Sequence, residues 1–428
     1  MQSLRPLLLH FARLAGIAHF VPLSAAALML GVAMSFTAPY LSLFGVEAAG
    51  MSPFLAGIFM TSIAASGVVA STWAGRWSDR RERHRPLLVV SLGAAALGFA
   101  LLCVLRAHGP VIAAGTILLG AGAVSLSQIF SFVRAVLPVA DDAQRELASA
   151  ALRTMLSIAW VFGPALGALI LAQTGFTGLF LAAAAGFVAC AAIVARIPEP
   201  ARRPVAAHVQ APDRVAPPPD AARAAVVVAT RASVLRTLVA LTLIGLAANA
   251  TMIVLPLYIV HALGGTPANV SAALGLAALL EIPMMLWLGI RSTHLDKARW
   301  LTACALVHAA YFVGLAAVTR VNLILPLQLL SACVVAITSC LGMTRVCDLM
   351  PTRPGTATAM FFSTARVGSI ASGVLSGACV DLFGYRATFA GCGGLALVAC
   401  VLLAVDAYGE RGGARRTSGA RHGFDSPH

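Results

Sequence analysis

The chain has 428 residues, 59% of them hydrophobic and 11% charged, with a mean hydropathy of +0.89. Those values exclude a water-soluble globular enzyme and a disordered chain. A net charge of +14 would point to nucleic acid in a soluble protein. Here the arginines gather in short stretches between apolar runs, where they report orientation in a lipid bilayer and no nucleic-acid partner.

In chain order, Arg5 and Arg13 precede an uncharged run from Leu14 to Val46, the first membrane span. A second uncharged run, 52–74, leads into the block Gly75-Arg76-Trp77-Ser78-Asp79-Arg80-Arg81-Glu82-Arg83-His84-Arg85, and a third run, 86–105, follows it. Each run is about the ~20 residues that a helix needs to cross hydrocarbon. The block therefore reads as a short loop, which its arginines fix on the cytoplasmic side. Further spans fall near 110–135, 149–172 and 177–196.

From Arg196 to Arg236 the chain is rich in proline, arginine and alanine, with Pro198, Pro200, Pro204, Pro212, Pro217, Pro218 and Pro219, and reads as a solvated linker. Spans seven to twelve fall near 237–260, 269–290, 300–319, 321–344, 356–380 and 386–406, before a basic tail with Arg411, Arg415, Arg416 and Arg421. The fold class predicted is all-α integral membrane, with twelve transmembrane helices in two pseudo-symmetric six-helix bundles. Residues 1–196 form the first bundle, 197–236 a cytoplasmic linker, 237–406 the second bundle and 407–428 a cytoplasmic tail. Twelve spans put both termini in the cytoplasm.

The nine cysteines lie in or beside apolar runs without a C-x-x-C pair or a His/Cys cluster at ligand spacing, so no metal and no cofactor is expected. A weak internal repeat runs through the chain. Gly163-Pro164-Ala165-Leu166-Gly167 with Thr174-Gly175-Phe176 matches Gly373-Val374-Leu375-Ser376-Gly377 with Phe383-Gly384-Tyr385. Pro39-Tyr40-Leu41 likewise matches Pro256-Leu257-Tyr258, and the stretch Arg291 to Arg299 is a reduced echo of the 75–85 block. Two parallel halves around a central cavity follow, the layout of many transporters.

Gly75-x-x-x-Asp79-Arg80-x-x-Arg83 resembles the loop motif of the major facilitator superfamily, and Gly163-Pro164-x-x-Gly167 resembles its exporter-associated motif. Ala38-Pro39-Tyr40-Leu41-Ser42-Leu43-Phe44, Trp160-Val161-Phe162-Gly163-Pro164, Leu280-Glu281-Ile282-Pro283 and Asp348-Leu349-Met350-Pro351 are similar to strings of one branch, the bacterial sugar efflux transporters. Trp77 and Glu82 depart from the loop motif, and span four lacks the arginine common in drug/proton antiporters. The resemblance implies a transporter in the bacterial inner membrane, not an enzyme, that moves a small sugar or glycoside outward in exchange for protons and works as a monomer. Efflux of amphipathic drugs is the alternative, with Phe36, Phe59, Met60, Phe130, Met252, Met284 and Trp287 as apolar lining.

Several residues carry specific expectations. Asp79, with Gly75, Arg80 and Arg83, is read as a gating latch between the halves, beyond its part in fixing topology. Gly163, Pro164 and Gly167 are read first as helix packing. Gln128, Asn249, Gln328, Tyr40 and Tyr258 are candidates for the substrate pathway, although single polar side chains often join helix to helix. His261 and His308 are read as interface or core histidines. Glu281 lies deep in span eight, at least ten residues from the inside charge Arg291, too far to reach a headgroup. It is expected either to carry the coupling proton or to hydrogen-bond the cargo. Pro283 nearby loosens the helix ladder.

Overall fold

The computed structural model describes residues 19–81, 83–137, 142–199, 231–291, 295–351 and 353–421; the side chains of some helical residues, Asp79 among them, fall outside that description. The described secondary structure is helical throughout, and ten helical stretches are long and apolar enough to cross a membrane. Eight are single passes: α1 (Phe20–Glu47), α2 (Pro53–Arg81), α3 (Arg85–Leu102), α4 (His108–Val133), α7 (Arg231–Ala262), α8 (Pro267–Arg291), α9 (Lys297–Ala317) and α10 (Val321–Leu349). The other two are double passes, each broken by a glycine at positive φ: Gly175 (φ 66°) and Gly384 (φ 80°). They divide into α5 (142–174), α6 (176–196), α11 (354–383) and α12 (385–421).

The packing shows that the chain turns back at both glycines. Ala159 and Gly186 would stand about 40 Å apart on one straight helix. Yet the Ala159 carbonyl accepts from Ser35 Oγ at 2.8 Å, while Gly186 abuts Ala33, two residues away on α1. Likewise Gly368 on α11 meets the backbone of Gly245, and Asp406 on α12 bonds Arg236 and Thr237 on the same helix, α7. A positive φ at the turn is open to glycine at little cost. Among the described residues the result is twelve passes in two bundles.

The tight turns Gly50, Gly175, Gly264 and Gly384 all close one end of the bundles, called here the Gly50 end; the arginine-rich block lies at the other, the Arg80 end. The halves repeat in atomic detail. Ala49 N donates to Phe44 O and Met51 N to Gly45 O; Leu263 N donates to Tyr258 O and Gly265 N to Ile259 O. The same wide cap ends α1 and α7, with Gly50 matched to Gly264. This register pairs Phe44 with Tyr258, so the sequence match of Tyr40 to Tyr258 is corrected by one helical turn.

A second correction concerns the charged block. It is not a loop: α2 continues through Arg81, with Arg80 and Arg81 in its last turn, where cations meet the negative end of the helix dipole. The link to α3 is correspondingly short. Glu199, from the first residues of the expected linker, caps α3 by accepting from His84 N at 2.7 Å and Arg85 N at 3.3 Å. Residues 200–230 of that linker lie outside the described residues.

The outer surface carries fully apolar residues such as Val69, Val90, Ile117 and Phe383, more than half exposed. A bilayer, not water, is the solvent that accommodates such a surface. Inside, one continuous apolar cluster joins the two bundles, running from Phe44 and Phe59 to Tyr258, Phe312 and Phe389. The Arg80-end part of the second bundle, including Leu241, Leu301, Leu341 and Leu403, packs as a separate cluster.

Candidate functional site: a cavity between the bundles

The bundles are bonded together toward the Gly50 end. Thr61 Oγ1 on α2 donates to Ile370 O on α11 at 2.9 Å and accepts from Val374 N at 2.9 Å. Asp381 Oδ2 on α11 accepts from Phe54 N at 3.2 Å, so a carboxylate of one bundle caps a helix of the other. Glu47 meets His261 at 3.3 Å. Around Thr61 the helices touch backbone to backbone: a Cβ on Gly377 would stand 2.5 Å from Pro53 O and 3.1 Å from the Gly57 Cα. On the opposite seam Gly275 of α8 faces Val161 O of α5.

Beneath that closure, at mid-depth, lies a cavity of about 180 Å³. The first bundle contributes Trp160 and Pro164 from α5, and the second contributes residues of α7, α8, α9 and α10, including Met252, Glu281, His308, Tyr311, Gln328 and Ser331. Proline has no N–H, so Pro164 leaves a carbonyl one turn back without its helical partner beside the cavity. Tyr40 does not line the cavity but bonds to its residue Pro164: fully buried, its hydroxyl lies 3.1 Å from Pro164 O and 3.3 Å from Pro267 O. One phenolic proton serves two acceptors, one in each bundle.

Of the pathway candidates, Glu281 and Gln328 line this one cavity. Among the described residues Glu281 forms no ion pair and no hydrogen bond, which leaves its carboxyl to the cavity. Gln328 Nε2 donates to Ile324 O at 3.2 Å on its own helix. The other candidates lie elsewhere. Gln128 bonds Ser78 at 3.3 Å and stands 3.4 Å from His84 Nδ1, joining α4 to the Arg80 end of α2 and to the start of α3. Tyr258 is fully buried and donates to Leu315 O and Val318 O, fastening α7 to α9. Asn249 donates to Gly245 O on its own helix, next to the cavity residue Ala248.

The exporter-like motif packs α5 onto α1. A Cβ at Gly163 would collide with the Ser35 hydroxyl, and one at Gly167 with the Phe36 carbonyl. At the Arg80 end, Gly75 has open space around it, Arg80 and Arg83 are exposed, and Arg81 lies over the Trp77 ring at 5.0 Å. The Asp79 side chain lies outside the described residues. His308 and Tyr311 on α9 and Trp160 on α5 were not singled out as cavity residues; the apolar runs that hold them give no polar periodicity that would have flagged them.

The family model of the Major Facilitator Superfamily matches residues 23–365 and 237–426. A Deinococcus radiodurans protein, whose name of sugar efflux transporter is itself provisional, is 36% identical over 89% of this chain and 96% of its own length. Sugar efflux transporter A of Escherichia coli is 31% identical over 85% of this chain and 90% of its own. The chain belongs to the major facilitator superfamily, in its sugar efflux transporter branch. Among solved structures, the nucleoside transporter NupG superposes on this superfamily member with a TM-score of 0.73 at 12% identity, covering 91% of this chain and 99% of that one. A POT peptide transporter gives 0.71 at 13% identity, covering 92% and 95%. At such identities the likeness shows the fold alone. It accords with a mid-membrane cavity between two six-helix bundles.

Proposed function

We propose that this superfamily member exports sugars or glycosides across the bacterial inner membrane in exchange for protons, by alternating access, as a monomer with both termini in the cytoplasm. The observation that carries the reading is the cavity itself. Trp160 supplies an apolar ring of the kind that sugar C–H faces pack on, and Glu281 and Gln328 supply hydrogen-bonding groups from the other bundle. The names of the 36% and 31% identical relatives support sugar as cargo.

In this reading Glu281 couples the proton. An uncompensated negative charge at that depth is costly, and no described arginine offsets it. The group would take a proton while the cavity faces outward and release it to the cytoplasm as sugar binds. The bundles share one core at the Gly50 end and hold separate cores at the other, which supports the Gly50 end as the closed, outer gate of the state described. The gating motif would act on the opposite side of the cycle, with Asp79 latching the Arg80 end when it closes.

A second reading, efflux of amphipathic compounds, is favoured by a separate apolar pocket of about 360 Å³, where Met284, Trp287 and Trp300 meet. Labelled sugar flux in inverted vesicles, with and without a pH gradient and beside one cationic dye, separates the two. The sugar reading expects gradient-driven sugar movement that Glu281→Gln uncouples while leaving sugar exchange intact. Gradient-driven accumulation in that variant would remove Glu281 from coupling, and dye movement without sugar movement would replace the cargo.

A further inference from the structure

Two polar groups on α9, at the cavity wall, are poorly satisfied by the protein. His308 is 2% exposed and its Nδ1 lacks a hydrogen bond; Tyr311 is 1% exposed and its hydroxyl, beside Gln328 and Ser331, is also outside hydrogen-bond geometry. Both sit on α9, one turn apart, and both line the cavity that holds Glu281. Their rings are fixed: His308 packs on Phe312 with centroids 4.6 Å apart and lies nearly parallel to Tyr311, at 21°. A buried donor or acceptor left unpaired destabilises a fold, so two of them at one cavity wall are a cost that packing does not repay. A ligand presenting hydroxyls to that wall would repay it.

We propose that His308 and Tyr311 form a hydroxyl-recognising subsite on α9, which binds two neighbouring hydroxyls of a monosaccharide ring. The imidazole nitrogen takes one hydroxyl and the phenol the other, while Trp160 and Glu281 hold the ring from the facing helices. The subsite is what discriminates one ring configuration from another. Aromatic packing holds both rings in place, so a ligand needs only a small shift of the neighbouring side chains to reach their polar atoms. The proposal rests on the sugar reading of the cavity.

The test uses the full-length purified protein with D-glucose, D-galactose and the single-deoxy analogues of each, read as binding affinity and as ligand-induced change in melting temperature. His308→Phe is expected to raise the melting temperature of the ligand-free protein, because it replaces an orphaned polar group with an apolar ring. The same variant is expected to bind the parent sugar at least tenfold more weakly and to lose its preference over one particular deoxy analogue. Tyr311→Phe is expected to lose preference over a neighbouring position. Unchanged affinity, or an equal loss for the parent and every analogue, overturns the subsite and leaves a packing role. Should His308→Phe not fold, Tyr311→Phe decides by the same comparison. Failure of the sugar reading looks different: no sugar in the panel would bind or stabilise the unaltered protein, and the subsite would fall with it.

Discussion

The Thr61 hydroxyl stands between the Ile370 carbonyl and the Val374 amide, the two groups that close one turn of a helix in the other bundle. Opening the Gly50 end must withdraw that hydroxyl and leave the turn of α11 to bond to itself. The closed contact therefore costs the opposing helix little when it is broken, a useful property in a gate. Thr61→Val keeps the shape and removes both bonds, each worth about 0.5–1.5 kcal/mol. The expected result is a shift of roughly fivefold or more toward the state open at the Gly50 end. Maleimide labelling of a cysteine placed at Phe54, with the native cysteines replaced, reads it; equal labelling rates in both backgrounds would discard the gate role.

Gly373 faces the same seam, and a Cβ there would stand 2.6 Å from Gly57 O and 2.9 Å from Thr61 N. Alanine is the better helix former by about 1 kcal/mol, so Gly373→Ala is not expected to harm α11 itself. It is expected to pry α2 from α11, preserving expression while slowing transport at least tenfold. Loss of protein in proportion to activity would show that Gly373 serves insertion or folding alone.

Topology makes its own test. Tags at Gly50 or Gly265 should be reached from outside the cell, and tags at Arg83, Asp213 or Gly413 only from the cytoplasm. One reversed position would break the six-plus-six arrangement.

The ion pair between Arg236 and Asp406 joins the start of α7 to α12, with Nε to Oδ1 at 2.8 Å and Thr237 Oγ1 near Oδ2 at 3.4 Å. The Asp406 side chain is 2% exposed while that of Arg236 is 33% exposed, so solvent screens one partner only. Asp406→Asn should cost roughly 1–3 kcal/mol of stability, between the values for surface and buried pairs. Thermal unfolding in detergent measures it, and a melting temperature equal to the unaltered protein would contradict the assignment.

Much of the fold was legible because a bilayer enforces long apolar runs and sorts arginines to one side. The breaks between the expected spans at 47–51, 173–176, 261–268 and 381–385 contain Gly50, Gly175, Gly264 and Gly384, the glycines at positive φ. Glu281 was legible for the same reason: a lone acid in an apolar helix stands out. Less legible was anything that depends on which way a helix faces. Tyr40 and Tyr258 look alike in sequence, yet one spans the two bundles and the other fastens α7 to α9. His308 read as a core histidine because burial was foreseeable and an absent partner was not. The end of α2 was misplaced because arginine stems let a helix run on past the hydrocarbon edge.

Glu199 pins the beginning of the interbundle connection to α3, and the second bundle resumes at Arg231. The chain between them has a contour of about 100 Å when fully drawn out. That length exceeds the span of a small domain, so it need not restrain how far the two bundles part. If the bundles move against each other as proposed, the seams between them, and not the length of this connection, limit the motion. Two polypeptides ending and starting within that stretch would keep every described contact between the bundles, the Thr61 and Asp381 bonds among them.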